Sequence, residues 1–372
     1  MAQPTATYIL GKPSEYARRS HAGAWSESQT EFPGTLAIDH TNQRLFLVDN
    51  ATGQSLPGVG SQIMVFDIHP DRIETGQKVI AVLGQPHADS KTIGLAANHV
   101  GRRLGLAVDE ANQRLFTSDG SNNRVLIFDI SPNNFRTGMD ASVVLGQGNF
   151  TSREPGLDAY RLSRPGALAY DPENQRLFVS DNGNRRGMIF DVAPDRLQTF
   201  AAATDVMGQP DFNTSEPRTN LTGFATGGLA YDNRTARLFI AEQVSRIEHM
   251  RISVYEVEPG TSLRSAVPMA VLGKPGFDAY DPIVSREQSV WPRLGSASID
   301  SERQLLVATE GYPGGNRAII WDISPERLRT GMPAVEVVGH LDDEGHTDFE
   351  RRAANDRVTP RNIYPRDVVL DP

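Results

Sequence analysis

The chain has no cysteine in its 372 residues. Disulfides, thiolate nucleophiles and Cys-ligated zinc or iron–sulfur centres are excluded with it, while the redox compartment stays open. No apolar run approaches the ~18 residues that a membrane-spanning helix needs. The opening "MAQPTATYILG" has neither the charged nor the apolar region of a signal peptide, although "AQP" behind the methionine also resembles the start of a mature exported chain. Positive charge is scarce, with 37 Lys and Arg against 46 Asp and Glu and a net charge of −9. Phosphate backbones need a basic footprint, so a nucleic-acid partner is not expected.

What the chain does have is turn chemistry and repetition. Its 33 Gly, 24 Pro, 38% hydrophobic and 22% charged residues are those of a soluble, turn-rich globular protein. An "LAxD"-like element ends at Asp39, Asp109, Asp171, Asp232, Asp300 and Asp371, at spacings of 70, 62, 61, 68 and 71 residues. A second element, "VLGQ" and its variants, places Gly11, Gly84, Gly146, Gly208, Gly273 and Gly339. Between them stand "RLFLVD"-like and "RVLIFDI"-like runs, separated by turns such as "DPENQ". Four short strands per unit, repeated, predict the blades of an all-β, six-bladed β-propeller forming a single domain over residues 1–372. Five blades are complete. The sixth is expected to be split, with its outermost strand at residues 8–12 and its innermost at 366–371. Its middle strands are missing, which points to a further C-terminal segment or a second chain that completes it; the alternative is a two-stranded blade.

The stretch Arg164–Val192, "RPGALAYDPENQRLFVSDNGNRRGMIFDV", resembles an NHL repeat through Arg164, Pro165, Asp171, Asp181, Asn184 and Arg185. Asp109, Asp119, Asn122 and Arg124 fit the same pattern one blade earlier. The run Val206–Phe212 resembles the inter-repeat signature "VLGQPDF" of a bacterial subgroup of NHL-repeat proteins. The resemblance covers nearly the whole chain and implies the propeller. It implies little about activity, because such propellers serve as RNA binders, protein-binding modules, sensor domains and a few lyases. Blades one and four depart from the pattern at residues 49–64 and 241–253, where turns are enlarged and the second run loses its Asp. The bacterial subgroup, with the Cys-free composition, favours a periplasmic or extracellular location.

Inter-blade loops of roughly 20 residues, longer than most connections, mark the elaborated face. Arg103, Arg164, Arg293 and Arg366 precede inner strands there and suit a carboxylate or phosphate; alternatively each pairs with an Asp of a neighbouring blade. Trp25, Trp291 and Tyr364 are candidate interface anchors, or residues that tuck loops down. The acids ending the second strands (Asp49, Asp119, Asp181 and Glu242) are candidate calcium ligands, as in propeller lactonases. In the NHL pattern such an acid bonds the Asn/Arg turn that follows it. Six of the eight histidines fall on the long-loop side, yet no HxH or HExxH spacing occurs. The "SPNNFRTGM"-type segments on the opposite face read as a helical turn filling the blade bottom. The expected function is a non-catalytic scaffold for a protein or small ligand, with no obligate cofactor. The alternative is a metal-dependent, lactonase-like or lyase-like enzyme with a site at the channel mouth.

Overall fold

A computed structural model of the chain describes residues 8, 10, 33–50, 60–102, 105–216, 226–242, 251–277, 294–310 and 317–338. They form five four-stranded antiparallel sheets, each a β-propeller blade with its strands in chain order. Blade 1 holds β1 (Pro33–Asp39), β2 (Arg44–Asp49), β3 (Gln62–Asp67) and β4 (Ala81–Leu83). Blade 2 holds β5 (Leu106–Asp109), β6 (Arg114–Asp119), β7 (Arg124–Asp129) and β8 (Val143–Leu145). Blade 3 holds β9 (Pro165–Asp171), β10 (Arg176–Asp181), β11 (Arg186–Asp191) and β12 (Asp205–Met207). Blade 4 holds β13 (Thr226–Asp232), β14 (Arg237–Glu242), β15 (Arg251–Glu256) and β16 (Ala270–Leu272). Blade 5 holds β17 (Leu294–Asp300), β18 (Leu305–Glu310), β19 (Arg317–Asp322) and β20 (Glu336–Val338).

Five blades, not six, are therefore found among the described residues. Of the expected sixth, residues 366–371 lie outside the described residues, and Tyr8 and Leu10, described in the other piece, belong to no strand. The enlarged turns at 51–59 and 243–250 also lie outside the described residues.

The middle strands are buried along nearly their whole length, polar ends included, because both their faces are covered. All six residues of β6, "RLFTSD", are buried. Each LAxD aspartate among the described residues organises the hairpin after the first strand. Asp109 accepts the backbone N–H of Asn112 at 3.1 Å, and Asp39 and Asp171 do the same for Asn42 and Asn174. The fourth turn residue adopts φ near +52° at Gln43, Gln113, Gln175 and Gln304, the left-handed position that closes such a turn.

The chain divides into two compact units, Ala6–Gly166 with Asp191–Ala202, and Met1–Thr5 and Ala167–Phe190 with Ala203–Pro372. In the first unit Phe46, Val48, Ile63, Val65 and Leu83 of blade 1 interlock with Leu115, Leu126, Phe128 and Val144 of blade 2. In the second, Phe239, Ile252, Val254 and Leu272 of blade 4 meet Leu306, Ile319, Trp321 and Val337 of blade 5. There too Phe178, Ile189 and Met207 of blade 3 pack on Leu238, Ile240 and Tyr255 of blade 4.

The "RTGM" segments do more than fill the blade bottom. Their start is the expected helical turn, with Phe135 N–H bonding Ser131 O at 2.9 Å. Their end straps blades 2, 3 and 5 to the outermost strand of the blade before. Thr137 Oγ1 accepts from Val82 N at 3.1 Å, and Gly138 N–H donates to Val82 O at 3.2 Å. Thr199 and Phe200 repeat both bonds on Val144, and Thr330 and Gly331 repeat them on Val271. Blade 4 has no Thr-Gly here. Instead Asp205 of β12 accepts the Leu263 N–H at 2.6 Å and pairs with Arg264 at 3.3 Å. One strap thus has two chemical solutions.

The strap has a steric requirement. Gly138 has φ +74°, and a Cβ there would lie 2.4 Å from the Pro86 carbonyl oxygen. Gly138→Ala is expected to destabilise the protein by about 1–3 kcal/mol. Gly148→Ala, where a Cβ meets nothing within 4 Å, is expected to be near neutral. Urea unfolding of the two variants checks this, and equal midpoints would contradict it.

Candidate functional site

The long loops are rooted at the ends of the second strands, where one device recurs. In blade 2, β6 ends on Asp119 and β7 begins on Arg124, opposite each other in register. Asp119 Oδ2 accepts Asn122 Nδ2 at 2.8 Å and Arg124 Nε at 3.0 Å, while Oδ1 accepts the Gly101 N–H at 3.1 Å. Both charged side chains are fully buried. Arg124 then spreads over the loops on either side. Its Nη1 donates to the carbonyls of Leu95, at 2.8 Å, and Phe150, and its Nη2 donates to His99 O at 2.9 Å. The guanidinium uses its whole fork of donors.

The pattern repeats with fixed spacing. In blade 3 Asp181 holds Asn184 and Arg186, each at 2.8 Å, and Arg186 Nη1 reaches the Phe212 carbonyl. In blade 4 Glu242 holds Arg251 Nε at 2.7 Å, and Arg251 Nη1 donates to Phe277 O at 2.8 Å. Arginine and phenylalanine are 26 residues apart in all three cases. The phenylalanine is the last residue of the "VLGQPDF"-type run, so that run ends in an anchor point for the buried arginine.

Blade 1 departs from this in an instructive way. Gln62 stands where the arginine is expected, opposite Asp49 in register. The cation comes instead from the loop, with Lys91 Nζ 2.6 Å from Asp49 Oδ2 and both side chains buried. A second anchor is the glutamine after "VLG". Gln85 Nε2 donates to Ser61 O and Thr92 O, Gln147 to Asn123 O and Glu154 O, and Gln209 to Arg185 O and Glu216 O. The second acceptor is seven residues downstream each time.

The electrostatics follow from burial. Desolvation pushes the Asp119 and Glu242 carboxyls above the ordinary carboxylate range, against the pull of Arg124 and Arg251. His99 is pushed down by its own desolvation and then by the Arg124 charge. Its Nδ1 lies 2.8 Å from Asn98 Oδ1. The four acids expected as calcium ligands thus each hold a buried lysine or arginine, and Asp119 and Asp181 also hold the asparagine of the following turn. Among the described residues no group of three or more His, Asp or Glu is placed to hold a metal ion.

Of the expected binding residues, Arg103, Arg293, Arg366, Trp25, Trp291 and Tyr364 lie outside the described residues. Arg164 is described. It is exposed, and its N–H bonds Asn123 Oδ1 at 2.7 Å. The residues missed from sequence are Lys91, the glutamines and the phenylalanine carbonyls. Their signals were the arginine-to-glutamine exchange at position 62 and the recurrence of Gln after "VLG".

No protein-family model matches the chain, and no curated protein matches it in sequence. It is similar to a chain of the nidogen/laminin complex at 14% identity, over 85% of this chain and 82% of that one, with TM-score 0.44. It is similar to a functionally unknown protein from Desulfotomaculum acetoxidans at 12% identity, over 83% and 72%, with TM-score 0.46. A Bacteroides uniformis protein provisionally named a 6-phosphogluconolactonase is similar at 13% identity, over 86% and 78%, with TM-score 0.48.

The relocated cation of blade 1 is testable. Lys91→Met removes a buried cation 2.6 Å from Asp49 and is expected to cost about 3–5 kcal/mol. Adding Gln62→Arg restores the arrangement of the other blades and is expected to recover at least half of that loss in urea unfolding. A double variant as unstable as Lys91→Met alone would contradict the equivalence.

Proposed function

We propose that this protein is a non-catalytic binding scaffold of the NHL type, which presents its long inter-blade loops to a protein or small ligand. The observation that carries the reading is the anchoring of those loops. Their roots are tied by Arg124, Arg186 and Arg251 and by Gln85, Gln147 and Gln209, while residues such as Ile93, at 42% relative exposure, stand outward. Loops held at the root and open at the tip present a preorganised surface at low entropic cost. The alternative, a lactonase-like or lyase-like metal enzyme, would take its ligands from Asp49, Asp119, Asp181 and Glu242. Their buried cation partners would first have to be displaced, which weighs against it. No helix among the described residues is long and apolar enough to cross a membrane; a periplasmic or extracellular site of action fits the resemblance to the bacterial subgroup.

The reading includes a sixth blade. Leu10 packs on Leu47, Met64 and Phe66 of blade 1. The register makes these the counterparts of Ala308, Ile319 and Trp321, the blade 5 residues that face blade 4. Leu10 therefore sits where a preceding blade would.

Hydrogen–deuterium exchange of the protein, alone and in the complex isolated from its source, tests the reading. Protection is expected within residues 84–105, 146–164 and 208–225. Protection confined to the strap segments 131–142 and 193–204, or none, would contradict it.

A further inference from the structure

One asparagine in blade 2 draws two arginine-bearing segments together. Asn123, in the turn between β6 and β7, has φ +54° and is held on three sides. Its carbonyl accepts Gln147 Nε2 at 3.0 Å, its Nδ2 donates to Arg153 O at 2.8 Å, and its Oδ1 accepts the Arg164 N–H at 2.7 Å. Two bonds through a single carboxamide hold the backbones at Arg153 and Arg164 within about 8 Å of each other. Both side chains are exposed. Neither guanidinium meets a carboxylate among the described residues. The nearby Asp158 is already engaged, bonding the Tyr160 and Arg161 N–H groups at 2.8 Å each and lying 3.8 Å from Arg161 Nε.

Arg164 is also backbone-strained. Its φ is +52° although it carries a Cβ and precedes Pro165, a position that favours extended backbone with negative φ. Such strain persists only where the surroundings impose it, and it concentrates at ligand clamps. Here the Asn123 bond holds it. In a chain of net charge −9, two exposed arginines on adjoining backbones, with no acidic partner among the described residues, form a local exception.

We infer that Arg153 and Arg164, staged by Asn123, form an anion clamp for a phosphate or carboxylate group of the ligand. Two planar guanidinium forks carried on adjoining backbones can engage separate edges of one tetrahedral or planar oxyanion. The clamp names the ligand chemistry of the loop surface and rests on the scaffold reading above.

The test is a titration followed on the Nε–Hε NMR signals of 15N-arginine-labelled protein, with inorganic phosphate in one arm and succinate in the other. Saturable shifts of the Arg153 and Arg164 signals, with a midpoint of roughly 1 mM, are expected in at least one arm. Phosphate alone would indicate a phosphoryl ligand, and succinate alone a carboxylate. Arg164→Ala is expected to weaken binding at Arg153 tenfold or more, and Arg153→Ala to do the same at Arg164. Arg136→Ala, which removes an exposed arginine of the strap segment, is expected to leave both unchanged. Shifts no larger than that of Arg136, shifts that do not saturate, or unchanged binding in Arg164→Ala would overturn the clamp. That outcome leaves the scaffold reading standing, since its exchange footprint needs no anion.

Discussion

The buried pairing of a strand-end acid with a cation is the constraint on which the loops depend. Asp119 and Arg124 illustrate why. An ion pair with both side chains fully buried loses its hydration, and Coulomb attraction alone does not offset that loss. The arrangement holds because the remaining donors of the guanidinium find carbonyls, at Leu95, Ala96, His99 and Phe150. Those carbonyls belong to the loops before and after the blade, which offer no strand ladder to bond instead. The pair and the loops therefore satisfy each other. Removing either strands the other in a low-dielectric interior.

A second constraint acts at the opposite ends of the blades. Each outermost strand is only three residues long, too short to hold its edge unaided. On β4, β8, β12 and β16 the strap from the following blade supplies the missing bonds and shields the edge from foreign strands. Thr-Gly provides it on Val82 and Val271, while Asp205 replaces it on β12. The exchange of residues preserves the function of the seam, as does Lys91 for arginine in blade 1. In both places the required interaction is kept while its donor moves to another segment.

The strands were legible in the sequence because their apolar runs recur at a fixed period. The LAxD turns were equally legible, since an Asp followed by Asn three residues on dictates its own hydrogen bonds. The sixth blade, expected at residues 8–12 and 366–371, is not found among the described residues, where Tyr8 and Leu10 belong to no strand. The second-strand acids were ambiguous for a physical reason. A buried carboxylate pairs equally well with a metal or with a guanidinium, and only the register of Asp119 opposite Arg124 decides between them. Lys91 was hidden because its partner lies 42 residues away, beyond any local pattern. The strap eluded sequence reasoning likewise, since Thr137 and Val82 are 55 residues apart.

Amide exchange in an Arg124→Met variant tests the central claim most directly. If the buried arginine anchors the loops, amides in residues 94–101 and 148–152 lose protection by tenfold or more while those of β6 and β7 keep theirs. Loop protection equal to that of the unmodified protein would contradict the account, because the loops would then be held without the guanidinium.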